Sequence, residues 1–192
     1  SAASDVYKRQ GLFSMMKMFP VIIALIFTPI LVKKTGSMQK VNFWGYVISD
    51  ILGIFLIIFA MQKNLPMMLL FMFLKGTFAG TMSGTLNALI AEISGYTYRT
   101  KGVHIDGMMF SCSSLGVKVG GGIGTAAVGW LLHAAGYAGK AATQTAAATN
   151  MIFSMYITIP VILGVVITIL LGLMKVEKEN KRIDMERAEQ AD

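Results

Sequence analysis

Five long apolar segments constrain this chain more than any other feature of its sequence. They cover approximately residues 12–32, 41–61, 66–91, 107–133 and 150–174, with short polar breaks between them. An α-helix needs about 20 residues to cross the roughly 30 Å hydrocarbon core of a bilayer, and each segment has that length. Backbone polar groups in lipid must be satisfied within the segment, which favours helices. We therefore expect an all-α, polytopic membrane bundle of about five transmembrane helices.

The composition agrees with a membrane protein and argues against several other classes. Only 14% of the 192 residues are charged, against about a quarter in a typical soluble domain. The single cysteine, Cys112, excludes a disulfide framework and a cysteine zinc site. His104 and His133 lack the spacing of metal ligands. With no nucleophile–base pair or metal cluster in the sequence, we predict neither an enzyme nor a bound metal or cofactor.

The first ten residues, SAASDVYKRQ, differ from everything that follows. They are polar, lack apolar periodicity and resemble a translated sequencing adapter. We interpret residues 1–10 as a non-native scar, residues 11–174 as the membrane bundle and residues 175–192 as a charged, solvated and partly helical tail. A natural polar N-terminus is the alternative. On the scar interpretation, residue 11 lies inside a larger protein.

The polar breaks predict the orientation of the bundle. The breaks at 33–40, 92–106 and 175–190 fall on one side and together hold ten Lys or Arg, whereas the opposite side holds only Lys63 and Lys140. Positive loops favour the cytoplasm, so we expect a multi-pass protein of the cytoplasmic membrane with its C-terminus inside. The topology then accounts for the net charge of +7 without a nucleic-acid partner.

Glycines recur every fourth residue in the third and fourth segments. Residues four apart share one helix face, and small residues there let another backbone approach closely. We therefore predict helix packing at two tracts: Gly76, Gly80 and Gly84, and then Gly116, Gly120 and Gly124. Pro20 and Pro160 lie within the first and fifth segments, where each removes a backbone hydrogen bond and favours a kink.

Four charged residues fall inside the apolar segments: Lys17, Asp50, Lys75 and Lys118. Lys17 is close enough to a helix end to extend its ammonium to the interface. The other three are predicted near the bilayer midplane, where a lipid-facing charge costs about 2.5–3.5 kcal/mol on insertion scales. One interpretation is a static buried ion pair of Asp50 with Lys75 or Lys118. The other is a polar cavity, with Asn87 nearby, in which these groups contact a substrate or a coupling ion.

Two stretches resemble the C-terminal half of the glycoside–pentoside–hexuronide:cation symporters, the melibiose permease family of the major facilitator superfamily. They are AEISGY at 91–96 and GVHIDGMMFSCSSLGVKVGGGIGTAAVGWLLHAAGY at 102–137, and the resemblance extends over 11–174. The matching positions are Glu92 and Tyr96, then the loop and helix residues Gly102, His104, Asp106, Gly107, Lys118, Gly136 and Tyr137. This chain departs from the family pattern at Gly95, where the family often has aspartate, and at His104, where it often has arginine.

The resemblance implies that the five segments are helices eight to twelve of a twelve-helix transporter. It implies sodium- or proton-coupled uptake of a glycoside, pentoside or hexuronide, with the sugar, a monovalent cation, membrane lipid and an N-terminal half as partners. It implies a coupling role for Lys118 and gating at a cytoplasmic loop through Glu92, Tyr96, Arg99, His104 and Asp106. The alternative is a non-transporting or channel-like membrane protein with structural buried ion pairs.

Overall fold

The computed structural model describes residues 2–139 and 143–190, and the side chains of residues 2–14, 16 and 17 lie outside the described part, including that of Lys17. Helices account for nearly all of the described chain. Their bounds are α1 (Ala2–Thr35), α2 (Met38–Met61), α3 (Leu65–Ala79), α4 (Thr81–Lys101), α5 (Asp106–Ala134), α6 (Ala146–Phe153), α7 (Ile159–Leu173) and α8 (Val176–Glu189), with a π-helical turn (Ser154–Thr158) between α6 and α7.

The predicted fold class is confirmed. No strand occurs within residues 2–139 and 143–190. In the same residues, five helical stretches are long and apolar enough to span a membrane: Met18–Thr35, Met38–Met61, Leu65–Lys101, Asp106–Ala134 and Ala146–Glu189. The backbone of α1 continues back to Ala2, and the interpretation of residues 1–10 as a scar stays a prediction.

Local sequence sets where the helices begin and end. Ser37 begins α2 and accepts a hydrogen bond from the Lys40 N–H at 3.1 Å. Thr145 begins α6 in the same way, accepting from the Ala148 N–H at 3.1 Å. Such side chains satisfy N–H groups that have no partner in the first turn. Gly102 ends α4 with φ +70°, a left-handed conformation that glycine adopts without strain.

The third segment differs from its prediction in two ways. It divides at Gly80 into α3 and α4, although the Gly80 N–H still donates to the Gly76 carbonyl at 2.9 Å. It also continues to Lys101 instead of stopping near Ala91. The predicted loop at 92–106 is therefore mostly helix, and Glu92, Tyr96 and Arg99 are helical residues. Polarity marks where a helix leaves the lipid, not where its backbone stops; the stop is Gly102.

The fifth segment contains a change of helical register. The π-helical turn at Ser154–Thr158 lies immediately before Pro160, which is within the first two residues of α7. Because Pro160 has no N–H, the regular bond to the carbonyl four residues earlier does not form there. A single π-helical turn is a common way for a helix to absorb such an interruption.

Within the bundle, α2 is central and α5 is peripheral. α2 packs against α1, α3, α4 and α7. Its buried residues include several small or polar ones, among them Asn42, Gly45, Ser49 and Asp50. α5 contacts chiefly α4 and α6, and none of its residues is buried. The polar residues of the core therefore lie on α2 and the helices around it.

The two glycine tracts differ in their surroundings. A Cβ placed at Gly76 would be 3.1 Å from the Pro20 Cβ, and one at Gly80 would be 2.7 Å from the Ala24 Cβ. At Gly84 the corresponding distance to the Leu25 Cδ2 is 3.3 Å. α1 therefore lies directly against this first tract. Apart from the adjacent residues and backbone of α5 itself, no atom of the described chain lies within 4 Å of the Cβ positions of the three tract glycines of α5, namely Gly116, Gly120 and Gly124. The packing predicted for them is not formed within the described part of the chain.

Candidate functional site

A polar cluster lies where α2, α3 and α7 meet. We call it the Asp50 cluster: Ser49 and Asp50 of α2, Lys75 of α3, and Gly164 and Thr168 of α7. Asp50 is only 9% exposed. The Thr168 hydroxyl donates to its Oδ2 at 2.7 Å. Its other oxygen, Oδ1, is buried and has no hydrogen-bond partner among the described residues.

Two glycines leave the space that this cluster occupies. A Cβ at Gly164 would overlap Asp50 Oδ1, so the carboxylate lies in a notch that only glycine leaves on α7. A Cβ at Gly53 would be 2.7 Å from Val161 Cγ2 and 3.3 Å from Lys75 Cε. Because Gly53 and Gly164 have no side chain, α2 can approach α7 closely and the Lys75 stem can pass beside α2.

Lys75 is near Asp50 without forming an ion pair with it. The half-buried Lys75 Nζ is within 3.5 Å of the Ser49 Oγ, to which it donates. No oxygen of Asp50 lies within 4.0 Å of the ammonium. The direct, static Asp50–Lys75 pair that the sequence left open is therefore absent from the described structure, and hydroxyl groups contact both charged groups instead.

The structure separates the other predicted membrane residues from this cluster. Lys118 is exposed on α5, so the alternative pairing of Asp50 with Lys118 is not formed either. Asn87 is exposed on α4. Of the four predicted substrate or ion residues, Asp50 and Lys75 come together, whereas Lys118 and Asn87 each face away from the bundle core.

Sequence reasoning missed the α7 side of the cluster. Gly164 and Thr168 are four residues apart and share one face of an otherwise strongly apolar helix. The Thr168 Oγ1 also lies 3.1 Å from the Gly164 carbonyl oxygen, which competes with Asp50 for its single proton. The sequence does contain a signal for them, because a glycine and a hydroxyl four residues apart in an apolar span indicate close packing against a polar neighbour.

A second polar region lies at the end of the bundle where α8 packs. The buried carboxylate of Glu177 accepts a hydrogen bond from the Gln39 N–H at 2.8 Å. The Gln39 side chain donates in turn to the Leu171 carbonyl at 2.9 Å and to the Met174 carbonyl. The start of α8 therefore joins the start of α2 to the end of α7. The expectation of a solvated tail is wrong for this part, because Glu177 and Asn180 are both buried.

The predicted gating residues form two separate groups. In the first, Arg99 pairs with Asp184 at 2.6 Å, and the Asn180 Nδ2 donates to the Glu92 carbonyl at 3.1 Å, which joins α4 to α8. Tyr96, which is half-buried, lies between Glu92 and Arg99 in the sequence.

The second group surrounds the turn between α4 and α5. The His104 ring stacks on Tyr98 with centroids 3.9 Å apart, and its Nδ1 is 3.8 Å from the Asp106 Oδ2. Both His104 and Asp106 are exposed. Since three of the five predicted residues belong to α4, the term gating loop applies only to this second group.

Comparison with known proteins identifies relatives that transport sugars. The family model described as MFS/sugar transport protein matches residues 4–178. The chain is 28% identical over 157 residues to the isoprimeverose transporter of Lactiplantibacillus pentosus, covering 82% of this chain and 32% of that protein. It is 28% identical over 109 residues to YagG of Escherichia coli K12, whose name proposes glycoside/cation symport. That match covers 54% of this chain and 24% of YagG. No solved structure matches the chain.

A further relative is an uncharacterized 29.9 kDa protein of Pseudescherichia vulneris, 27% identical over 132 residues. The match covers 68% of this chain and 48% of that protein, so the chain spans about half the length of this relative and a third or less of the two transporters. The family match covers most of the five membrane-spanning stretches and includes every residue of the Asp50 cluster. The chain is therefore a multi-pass membrane protein that belongs to the MFS/sugar transport family, as its resemblance to the glycoside–pentoside–hexuronide symporters predicts.

Proposed function

We propose that this chain is part of a secondary transporter that carries a glycoside, pentoside or hexuronide across the cytoplasmic membrane together with Na⁺ or H⁺. The observation that carries the proposal is the burial of Asp50 beside Lys75 in the membrane-spanning core. Ionisable groups at that depth are costly, and in membrane proteins they mark substrate and ion pathways. The sugar and cation named for the relatives supply the chemical class.

Coupling by alternating access requires that sugar and cation together favour a state that neither favours alone. A ligand shifts a conformational equilibrium only by its difference in affinity for the two states. Polar groups that join different helices, such as Asp50 of α2 and Thr168 of α7, are suited to this because their contacts change when the helices move. Glycine contacts between α1 and the α3–α4 stretch permit such movement of closely packed helices.

Lys118 is the proposed sugar-binding residue. Transporter sites lie near the bilayer midplane between structural repeats, and Lys118 is in the middle part of α5. Its helix has no buried residue within the described chain, which leaves its face open toward a second half of the protein. An ammonium there donates to sugar hydroxyls, or compensates a carboxylate whose charge changes when a cation binds.

The orientation completes the proposal. The basic residues of the polar breaks at 33–40, 92–106 and 175–190 lie at the ends of α1 and α4, at the start of α2, and in α8 and the residue before it. We place this end of the bundle in the cytoplasm, with the C-terminus inside. The groups around Arg99 and His104 then lie at the cytoplasmic end, where they would control access to the sugar site.

Uptake of labelled sugars by cells that express the intact gene product tests the proposal. We expect accumulation of at least one glycoside, pentoside or hexuronide that depends on a Na⁺ or H⁺ gradient. Lys118→Ala should abolish the uptake while membrane insertion stays normal. Lys178→Ala, an exposed lysine of α8, is the matched control and should transport normally. Undiminished uptake by Lys118→Ala would remove this lysine from the mechanism. No uptake of any of these sugars by the unsubstituted protein would favour the non-transporting or channel-like alternative.

A further inference from the structure

We propose that the Asp50 cluster binds a monovalent alkali cation, and that the Lys75 ammonium competes with this cation for the Asp50 carboxylate. The starting observation is the state of that carboxylate. One oxygen is satisfied by Thr168 at 2.7 Å, whereas Oδ1 is buried in the Gly164 notch without a hydrogen-bond partner among the described residues. A buried carboxylate oxygen of this kind is costly unless a cation or donor reaches it.

The donor groups match the chemistry of a hard, singly charged ion. The Asp50 carboxylate and the Thr168 hydroxyl bonded to it both present oxygen, which is the ligand atom that hard cations prefer. In the described part of the chain, no three His, Cys, Asp or Glu residues are grouped so as to hold a metal ion. One carboxylate with neutral hydroxyls balances a charge of +1 and leaves a divalent ion undercompensated.

Lys75 is placed to act as the competitor. Its ammonium is 3.5 Å from the hydroxyl of Ser49, the residue adjacent to Asp50, which is a long and therefore weak hydrogen bond. The lysine side chain has four rotatable bonds and a compact point charge, so a change of rotamer exchanges the Ser49 contact for one with Asp50. Two cations next to one buried carboxylate repel each other, so occupancy by Na⁺ and contact with Lys75 exclude one another.

This exchange would alter the connections between helices. Contact of Lys75 with Asp50 would strengthen the link between α3 and α2, which otherwise is only the long bond to Ser49. An ion shared by Asp50 and Thr168 would instead strengthen the existing link between α2 and α7 and leave Lys75 on Ser49. That the bound ion is the coupling cation rests on the proposed function, whereas binding at Asp50 is independent of it.

Thermal unfolding of the purified intact gene product, titrated with NaCl against choline chloride at constant ionic strength, tests the inference. A ligand that binds the folded state raises the unfolding midpoint by mass action. We expect Na⁺ to raise the midpoint of the unsubstituted protein and to lose this effect in Asp50→Asn. In Lys75→Gln, the half-saturating Na⁺ concentration should fall several-fold because the competitor is gone. Glu189→Gln and Lys178→Gln remove the same charges at exposed sites and should retain the original Na⁺ dependence.

Thr168→Val keeps the carboxylate and the side-chain shape, and covers the case in which Asp50→Asn does not fold. It should raise the half-saturating concentration several-fold. An unchanged Na⁺ dependence in Asp50→Asn, or in Thr168→Val where Asp50→Asn does not fold, would overturn the inference. So would a half-saturating concentration in Lys75→Gln that is equal to or above the original. Because no sugar enters this assay, a protein that binds Na⁺ here but moves no sugar refutes the proposed function alone.

Discussion

The Glu177 carboxylate of α8 accepts a hydrogen bond at 2.8 Å from the Gln39 N–H in the first turn of α2. Helix N-termini carry N–H groups without partners and a partial positive charge, both of which favour an anion. The Gln39 side chain in turn donates a hydrogen bond to the Leu171 carbonyl at the end of α7. A residue of the polar tail thus holds together the ends of two membrane-spanning helices that are more than a hundred positions apart in sequence.

Replacing this carboxylate should destabilise the protein although Glu177 lies outside the apolar segments. We expect Glu177→Ala to cost about 1–3 kcal/mol, because it leaves the Gln39 N–H without its acceptor and removes the pair with Lys181 at 3.1 Å. Glu177→Gln keeps an acceptor oxygen and should cost less. Thermal unfolding in detergent measures both. Glu189→Ala, at an exposed position of the same helix, is the control; an equal effect there would show that Glu177 acts only through helix propensity or net charge.

Gly164→Ala should be among the most disruptive single-methyl additions in this chain. The new Cβ would overlap Asp50 Oδ1, so either the Asp50 side chain rotates or α7 moves away from α2, and both changes weaken the bond from Thr168. Overpacking of this kind costs about 1–3 kcal/mol, which exceeds the roughly 1 kcal/mol that alanine gains over glycine in a helix. Gly129→Ala is the matched control, because that glycine is in α5 and no described atom beyond its own stretch of helix lies within 4 Å of its Cβ position. We expect Gly164→Ala to lower the unfolding midpoint and Gly129→Ala to leave it unchanged or raise it. A midpoint for Gly164→Ala at or above the original would show that Asp50 does not need the space left by glycine at position 164.

The sequence was sufficient for the number and type of spans because lipid leaves few options. Length and hydropathy determine whether a segment crosses the membrane, and backbone satisfaction then requires a helix. Boundaries were harder: α4 continues past Ala91 to Lys101 because no residue before Gly102 stops it. Polarity predicts where the chain leaves the lipid, but the end of the helical backbone is determined by Gly102.

The candidate site was only partly predictable, for a geometric reason. Depth along a helix follows from counting residues, so Asp50 and Lys75 were expected at one level of the membrane. Which helices are neighbours does not follow from counting. The sequence therefore allows Lys118 as a partner of Asp50 as readily as Lys75, although Lys118 lies on the peripheral α5. Thr168 and Gly164 were overlooked because neither is charged, and their importance arises only from their position opposite Asp50.

The two glycine tracts predict opposite responses to the same substitution. Gly80→Ala places a Cβ 2.7 Å from that of Ala24 and should lower the unfolding midpoint by forcing α1 away. Gly120→Ala adds a methyl group where no atom of another described helix lies within 4 Å, so the midpoint should stay the same or rise. Gly120→Ala should instead impair sugar uptake in the intact gene product, if α5 packs against a second half there. Normal uptake together with an unchanged midpoint would exclude Gly120 from any tight contact.

Asn42 and Thr85 should show strong energetic coupling, since they form a polar contact in the centre of the bundle. Asn42 is fully buried, and its Nδ2 donates to the Thr85 Oγ1 at 2.7 Å, linking α2 to α4. Thr85→Val removes the acceptor while keeping the shape, which leaves a buried amide N–H group unsatisfied at about 1–3 kcal/mol. Asn42→Leu removes the donor and should cost less, because the Thr85 hydroxyl still donates to the Thr81 carbonyl at 3.2 Å. The double variant has no polar group left to satisfy, so its loss should be smaller than the sum of the single losses by about 0.5–3 kcal/mol. Unfolding midpoints of the four proteins give this difference; strictly additive losses would mean that the two side chains do not interact in the membrane.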